Sequence, residues 1–175
     1  MKGFGESNRL KKSLEKNKKT KNLDDNLELY NQAFNLQKKG SYRRAAEIFN
    51  ILLKNNYHNE EFFLNYATVC QYLKDTKGAV KLFKEAIKIN PKNSIPFFKM
   101  GFILNNSGRF YEAYPFAKRA VVLNSKSWQG YHNLIKILRN LNKPIEAMDI
   151  AKNAIKSFPK NHLFFGLLGD INSDI

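Results

Sequence analysis

Apolar residues fall in a pattern that recurs every 34 positions from Asn26 onward. Within residues 60–93, Phe63, Tyr66, Ala67 and Cys70 stand at i, i+3, i+4 and i+7, one face of a helix. After a polar break at 74–77, Val80, Phe83, Ala86 and Ile87 mark a second helical face. The spacing predicts two short amphipathic helices joined by a tight turn. Neither can bury its apolar face alone, so the units must stack on copies of themselves.

Counted in this frame, the units are 26–59, 60–93, 94–127 and 128–161, and 162–175 begins a fifth. The eighth column reads Ala33, Ala67, Gly101, Ile135, and the twentieth Ala45, Ala79, Ala113, Ala147. The twenty-seventh reads Leu52, Ala86, Ala120, Ala154. Column four holds Leu29, Phe63, Phe97 and Tyr131, and column twenty-four Phe49, Phe83, Ala117 and Ala151. Small residues at fixed columns let helix axes approach closely while large ones fill the grooves beside them.

This column pattern resembles the tetratricopeptide repeat (TPR), with four repeats and a partial fifth. The resemblance implies an all-α fold, in which antiparallel helix pairs stack into a right-handed superhelix with a concave groove. Helix A of each unit would take its first 14 or so residues and helix B residues 17–30. Gly40 and Gly108 at column fifteen suit a left-handed turn, which Asn142 tolerates. Lys74 stands there in the second unit, so a different turn is expected at 74–77. Ile135 at column eight predicts looser or tilted packing of the last two units. Pro115 should kink helix B of the third unit or shorten its first turn.

Charge adds a tail to this picture. The chain of 175 residues has a formal net charge of +15. Residues 1–22 carry eight Lys or Arg against two Glu, and 1–25 lack sustained periodicity, which predicts a disordered basic tail. Residues 162–175, HLFFGLLGDINSDI, restart the pattern and read as a capping helix, although an apolar one. Self-association through it is a second reading. A single cysteine, Cys70, lies on an apolar face and reads as a buried thiol. No segment reaches the roughly 18 apolar residues of a membrane span, and the N-terminus lacks a signal's apolar run. The expected location is the cytoplasm.

Catalytic chemistry finds no motif. His58, His132 and His162 have no second ligand at metal spacing, and no phosphate loop or nucleophile elbow occurs. Asp24/Asp25 and Glu60/Glu61 open units, where they favour helix N-termini. A non-enzyme with no cofactor and no metal is expected.

Binding has candidates, which the resemblance places on the concave face of the A helices. The first two units offer Tyr30, Asn31 and Phe34, then Asn65, Thr68 and Tyr72. The next two offer Phe98, Lys99 and Phe102, then Asn133, Lys136 and Arg139. The groove is thus expected to be aromatic and amide-rich at its start and basic at its end. Asn31, Asn65 and Asn133 share column six, and a carboxamide can pair with one peptide unit through its donor and its acceptor. The ladder resembles that in the TPR arm of O-linked N-acetylglucosamine transferases. Replacing all three by alanine is expected to weaken binding at nearly unchanged stability.

Tyr30 and Phe34 stand where a two-carboxylate clamp for chaperone tails wants lysine and asparagine, so that partner is not implied. The expected function is a scaffold that binds an extended, acidic protein segment. The alternative is a docking arm that serves a glycosyltransferase or other catalytic protein in trans. An RNA-associated role, motivated by the charge, ranks below both.

Overall fold

The computed structural model describes residues 23–173, and these form nine helices and no strands. The helices are α1 (23–38), α2 (Tyr42–Lys54), α3 (Glu60–Tyr72), α4 (Thr76–Ile89) and α5 (Ser94–Asn106). They continue as α6 (Phe110–Leu123), α7 (Trp128–Asn140), α8 (Pro144–Ser157) and α9 (Leu163–Ser173). All but the last three residues of the basic segment 1–25 lie outside the described residues. Those three, residues 23–25, are helical, which moves the start of α1 ahead of Asn26.

The odd-numbered helices α3, α5 and α7 each have 13 residues, and their partners α4, α6 and α8 each have 14. Local chemistry starts several of them. Asn59 accepts from the Phe62 amide at 2.8 Å and Asp75 from the Gly78 amide at 2.9 Å, each satisfying a donor that the first helical turn leaves open. Pro144 opens α8, where a missing amide proton costs nothing. Pro115 does not shorten α6, which runs 14 residues through it like α4 and α8.

The turns between paired helices share one geometry. Gly40 and Gly108 are left-handed at φ 76° and 72°, and Asn142 at 55°. Lys74 is left-handed too, at φ 61°, so the expected different turn is not found. The reason lies in the backbone. The Asp75 amide donates to Cys70 O at 2.9 Å and the Lys74 amide to Gln71 O at 3.1 Å, the double bond of a Schellman end. Those bonds outweigh the roughly 1–2 kcal/mol that a side chain costs in this conformation.

Two clusters make the core. One joins α1–α4 to the middle of α5 around Phe49, Phe62 and Phe83; the other joins the end of α5 to α6–α9 around Ile135, Leu138 and Phe164. The small columns sit inside them: Ala67, Ala79, Ala86, Ala113, Ala147 and Ala154 are all fully buried. Gly101 shows why. A Cβ there would stand 3.1 Å from the Ala117 backbone nitrogen, so α5 and α6 cross with almost no space between them.

In that register column eight meets column twenty-four, which puts Ile135 opposite Ala151. Both are fully buried, so bulk has moved from one helix to the other; α7 and α8 nevertheless approach less closely than α3 and α4 or α5 and α6, as the large residue at column eight predicts. Ala79→Leu or Ala113→Leu should overpack these crossings and cost about 1–3 kcal/mol. Thermal denaturation measures it, and no loss at either position would refute their placement.

Beyond α8, α9 sets Phe164, Leu167 and Ile171 on the core and leaves Phe165 about half exposed.

Candidate functional site

Helix spacing determines which side chains share the concave face, and packing then decides which remain available there. On α1, Tyr30 is 6% exposed and belongs to the core more than to the groove surface. Its ring lies parallel to that of Phe34, centroids 6.3 Å apart, and its hydroxyl accepts from Asn65 Nδ2 at 2.7 Å. Burial, and then a hydrogen bond to Glu61, raise the ionisation of Tyr30 well above the ordinary tyrosine range. Phe34 is half-buried under the Lys38 ammonium, 4.3 Å from the ring centre. Asn31 is exposed.

Two of the three candidates on α3 are engaged internally. Asn65 holds Tyr30, and Thr68 donates its hydroxyl to Leu64 O at 2.8 Å, within its own helix. Tyr72 is free to meet a ligand: it is 60% exposed and stacks at 4.3 Å, nearly parallel, on Tyr42 of α2. Periodicity within the A helices gave no sign of Tyr42, because it stands at the start of a B helix. On α5, Phe98 and Phe102 stack at 6.2 Å, with Phe102 exposed and Lys99 half-buried beside them.

The three column-six asparagines therefore occupy three environments. Asn31 is exposed, Asn65 is half-buried and bonded, and Asn133 is 4% exposed with its Nδ2 unpartnered among the described residues. Two further buried atoms lack partners there: Gln37 Oε1 and Gln71 Oε1, at column twelve of successive A helices. Equivalent side chains one repeat apart thus hold equivalent buried, unpartnered acceptors.

The far end of the face is cationic. Lys136, Arg139, Asn140, Asn142 and Pro144 bound a cavity of about 510 Å³ where α7 turns into α8. Lys136 is exposed, whereas Arg139 pairs with Asp170 of α9 at 3.5 Å. Asn140 Nδ2 donates to Asn105 Oδ1 at 3.0 Å, one repeat away. Next to them, burial and then the Lys136 charge hold the His132 imidazole below its usual pKa. Asp170 went unpredicted, although it falls at column nine of the restarted pattern, the column of Lys136 one unit earlier.

On another face, Leu53, Phe63, Tyr66, Cys70, Leu82 and Ile89 are among the residues that line an apolar cleft of about 590 Å³. Cys70 is a free, buried thiol. Burial first and Asp75 second push it up to about 11, and burial pushes Tyr66 up to about 12. A folded-state pKa above the unfolded one gives stability that is full below the unfolded value and disappears as pH rises through the folded value. The thermal midpoint should therefore fall as pH is raised from about 9 towards 12, and thiol reagents at pH 8 should label Cys70 only as fast as the chain opens. Rapid labelling of the folded protein would contradict this burial.

Among the described residues no three His, Cys, Asp or Glu side chains converge as for a metal ion, and no helix is long and apolar enough to cross a membrane.

The family model for the tetratricopeptide repeat matches residues 60–93, the unit whose column pattern is most complete. The described helix pairs have the fold of a tetratricopeptide-repeat solenoid. A MamA structure, the RS-1 ArsTM double mutant, aligns with a TM-score of 0.78 at 17% identity over 86% of this chain and 84% of that one. MamA from Desulfovibrio magneticus RS-1, residue 41 to the end, gives 0.77 at 18% identity over 85% of each chain.

YrrB, described as a TPR protein with an unusual peptide-binding site, gives 0.75 at 21% identity over 93% of this chain and 81% of that one. Comparison with curated proteins finds no match. At these identities the likeness is one of fold.

Proposed function

We propose that this TPR array is a non-catalytic scaffold that holds an extended segment of another protein along its concave face. One observation carries the reading. The columns that the repeat resemblance assigns to that face hold exposed aromatic rings, Tyr72 and Phe102, and three carboxamides with a buried atom that no described residue satisfies: Gln37 Oε1, Gln71 Oε1 and Asn133 Nδ2. A buried polar atom without a partner is costly, and an extended peptide supplies both the donors and the acceptors that would relieve it. The rings add apolar contact that is indifferent to ligand sequence. Lys99, Lys136 and Arg139 favour acidic residues at one end of the ligand.

Relative to the column-six ladder, the weight shifts. Asn65 already serves Tyr30, so the glutamines of column twelve replace it as the candidates that read backbone.

Selection of binders from a random peptide display library on the full chain tests the proposal. Enriched peptides should be acidic towards one end, and Tyr72→Ala with Phe102→Ala should weaken them at least tenfold with the thermal midpoint unchanged. Enrichment that survives this double change, or no enrichment at all, would remove the groove as the site.

A further inference from the structure

The apolar cleft away from the concave face has a filled counterpart two repeats along the chain. Its walls include columns seven, eleven and twenty-three of the second unit: Tyr66, Cys70 and Leu82. The same columns of the fourth unit, Leu134, Leu138 and Ile150, also line a cavity. That cavity has about 240 Å³, however, against about 590 Å³ for the first. The difference lies at column twenty-one of the preceding B helix. Tyr114 of α6 stands in the wall of the smaller cavity, its hydroxyl donating to Glu146 Oε2 at 3.4 Å. Ala46 of α2 holds that column beside the open cleft and has no ring to send in.

What closes the one cleft describes an occupant for the other. Tyr114 has two ammonium groups near its ring, Lys118 at 5.9 Å and Lys143 at 5.8 Å from the centre. Glu146 and Asp149 supply carboxylates to the same walls. The open cleft keeps the acidic part, since Asp75 and Glu85 line it against Lys81 and His58. Asp75 also caps α4 through the Gly78 amide, and Glu85 also meets Lys88 at 2.7 Å. An aromatic ring with basic residues beside it matches both the apolar floor and the acidic wall.

The chain carries such a segment next to the cleft. Residues 1–22 hold eight Lys or Arg against two Glu, and Phe4 is the one aromatic among them, close to Lys2. They end where α1 begins, and in its first turn Asn26 Oδ1 accepts from Asn55 Nδ2 at 2.7 Å. Asn55 stands between Leu53 and His58, both of which line the cleft. From Phe4 to residue 23 is nineteen residues, up to about 60 Å of extended chain, so the ring has ample reach.

We propose that the cleft between α2 and α4 binds the N-terminal segment of the same chain, with the Phe4 ring on its apolar floor and Lys2 against Asp75 and Glu85. The segment then does for the second unit what Tyr114 and Lys118 do for the fourth. The site lies off the concave face and stands whether or not the groove holds a peptide.

The test is carbodiimide coupling of the full chain, which joins a lysine amine to a carboxylate in contact with it, followed by peptide mapping. An equal mixture of nitrogen-14 and nitrogen-15 chains tells links within a chain from links between two. Lys2 should couple to Asp75 or Glu85 of its own chain, and Phe4→Ala should lose those links. The same change, which alters no described residue, should shift the NMR signals of the Phe63, Tyr66 and Gly78 amides. Ala46→Tyr, which refills the cleft as Tyr114 does, should release the segment as well; Phe4→Ala decides the matter if that substitution disturbs α2.

Links that survive Phe4→Ala would mean charge attraction alone and would overturn the ring site. Unmoved cleft amides in that variant, or no link from Lys2 to either acid, would overturn it too. Links that join the two isotopes would give the cleft to a second copy and end the intramolecular proposal.

Discussion

Phe62→Ala is expected to destabilise the fold by about 3–5 kcal/mol, the range for deleting a fully buried aromatic side chain. Phe62 has no exposed surface, and four rings surround it. Phe49 and Tyr57 meet it edge-on at 5.8 Å each, Phe63 edge-on at 5.1 Å, and Tyr66 tilted at 6.0 Å. Rings contributed by α2, by α3 and by the turn between them cannot all move inward, so the cavity persists and its cost adds to the lost burial.

For a chain of this size the midpoint should fall by roughly 6–20 °C. The loss should also be uneven. The core divides within α5, and in a solenoid each unit leans chiefly on its neighbours. Amide exchange should therefore quicken in α1–α4 before α7–α9. Calorimetry with exchange mass spectrometry reads both. A cost below 1 kcal/mol would contradict the packing, and uniform loss of protection would contradict the division of the core.

What could be read in advance follows from what a period encodes. A 34-residue recurrence of small and large positions states which faces are buried, and Ala79, Ala113 and Ala147 are buried as that recurrence requires. Exceptions were legible unevenly. Ile135 correctly marked the pair whose helices approach least closely, whereas Lys74 keeps the common turn because two backbone bonds close α3.

Polar positions were the least legible part. Column six assigned one role to Asn31, Asn65 and Asn133, yet Asn65 bonds to a tyrosine hydroxyl 35 residues away and Thr68 to its own helix. Which hydrogen bond forms depends on ångström-scale distances between units, and a column carries no such distance. The alanine triple at column six is accordingly no longer expected to spare stability.

Asn133→Leu is expected to hold or raise stability and to lower affinity for a groove ligand ten- to a hundredfold. Asn133 is 4% exposed, beside Leu134 and Ile137, and its Nδ2 has no partner among the described residues. A buried amide donor left unsatisfied costs about 1–3 kcal/mol, and an apolar side chain of similar size removes that penalty with little repacking. The midpoint should therefore rise by up to several degrees, or at least not fall.

If Nδ2 is kept for a peptide carbonyl, the same change deletes a bond made in a desolvated groove, and affinity falls with it. Asn65→Leu, two repeats earlier in the same column, should act in the opposite sense on stability. It removes the donor to the buried Tyr30 hydroxyl, at a cost of roughly 1–3 kcal/mol. The pair of variants separates a side chain retained for the fold from one retained for a ligand. If Asn133→Leu unfolds as readily as Asn65→Leu, Asn133 serves the core, and the buried donor no longer counts as part of the groove.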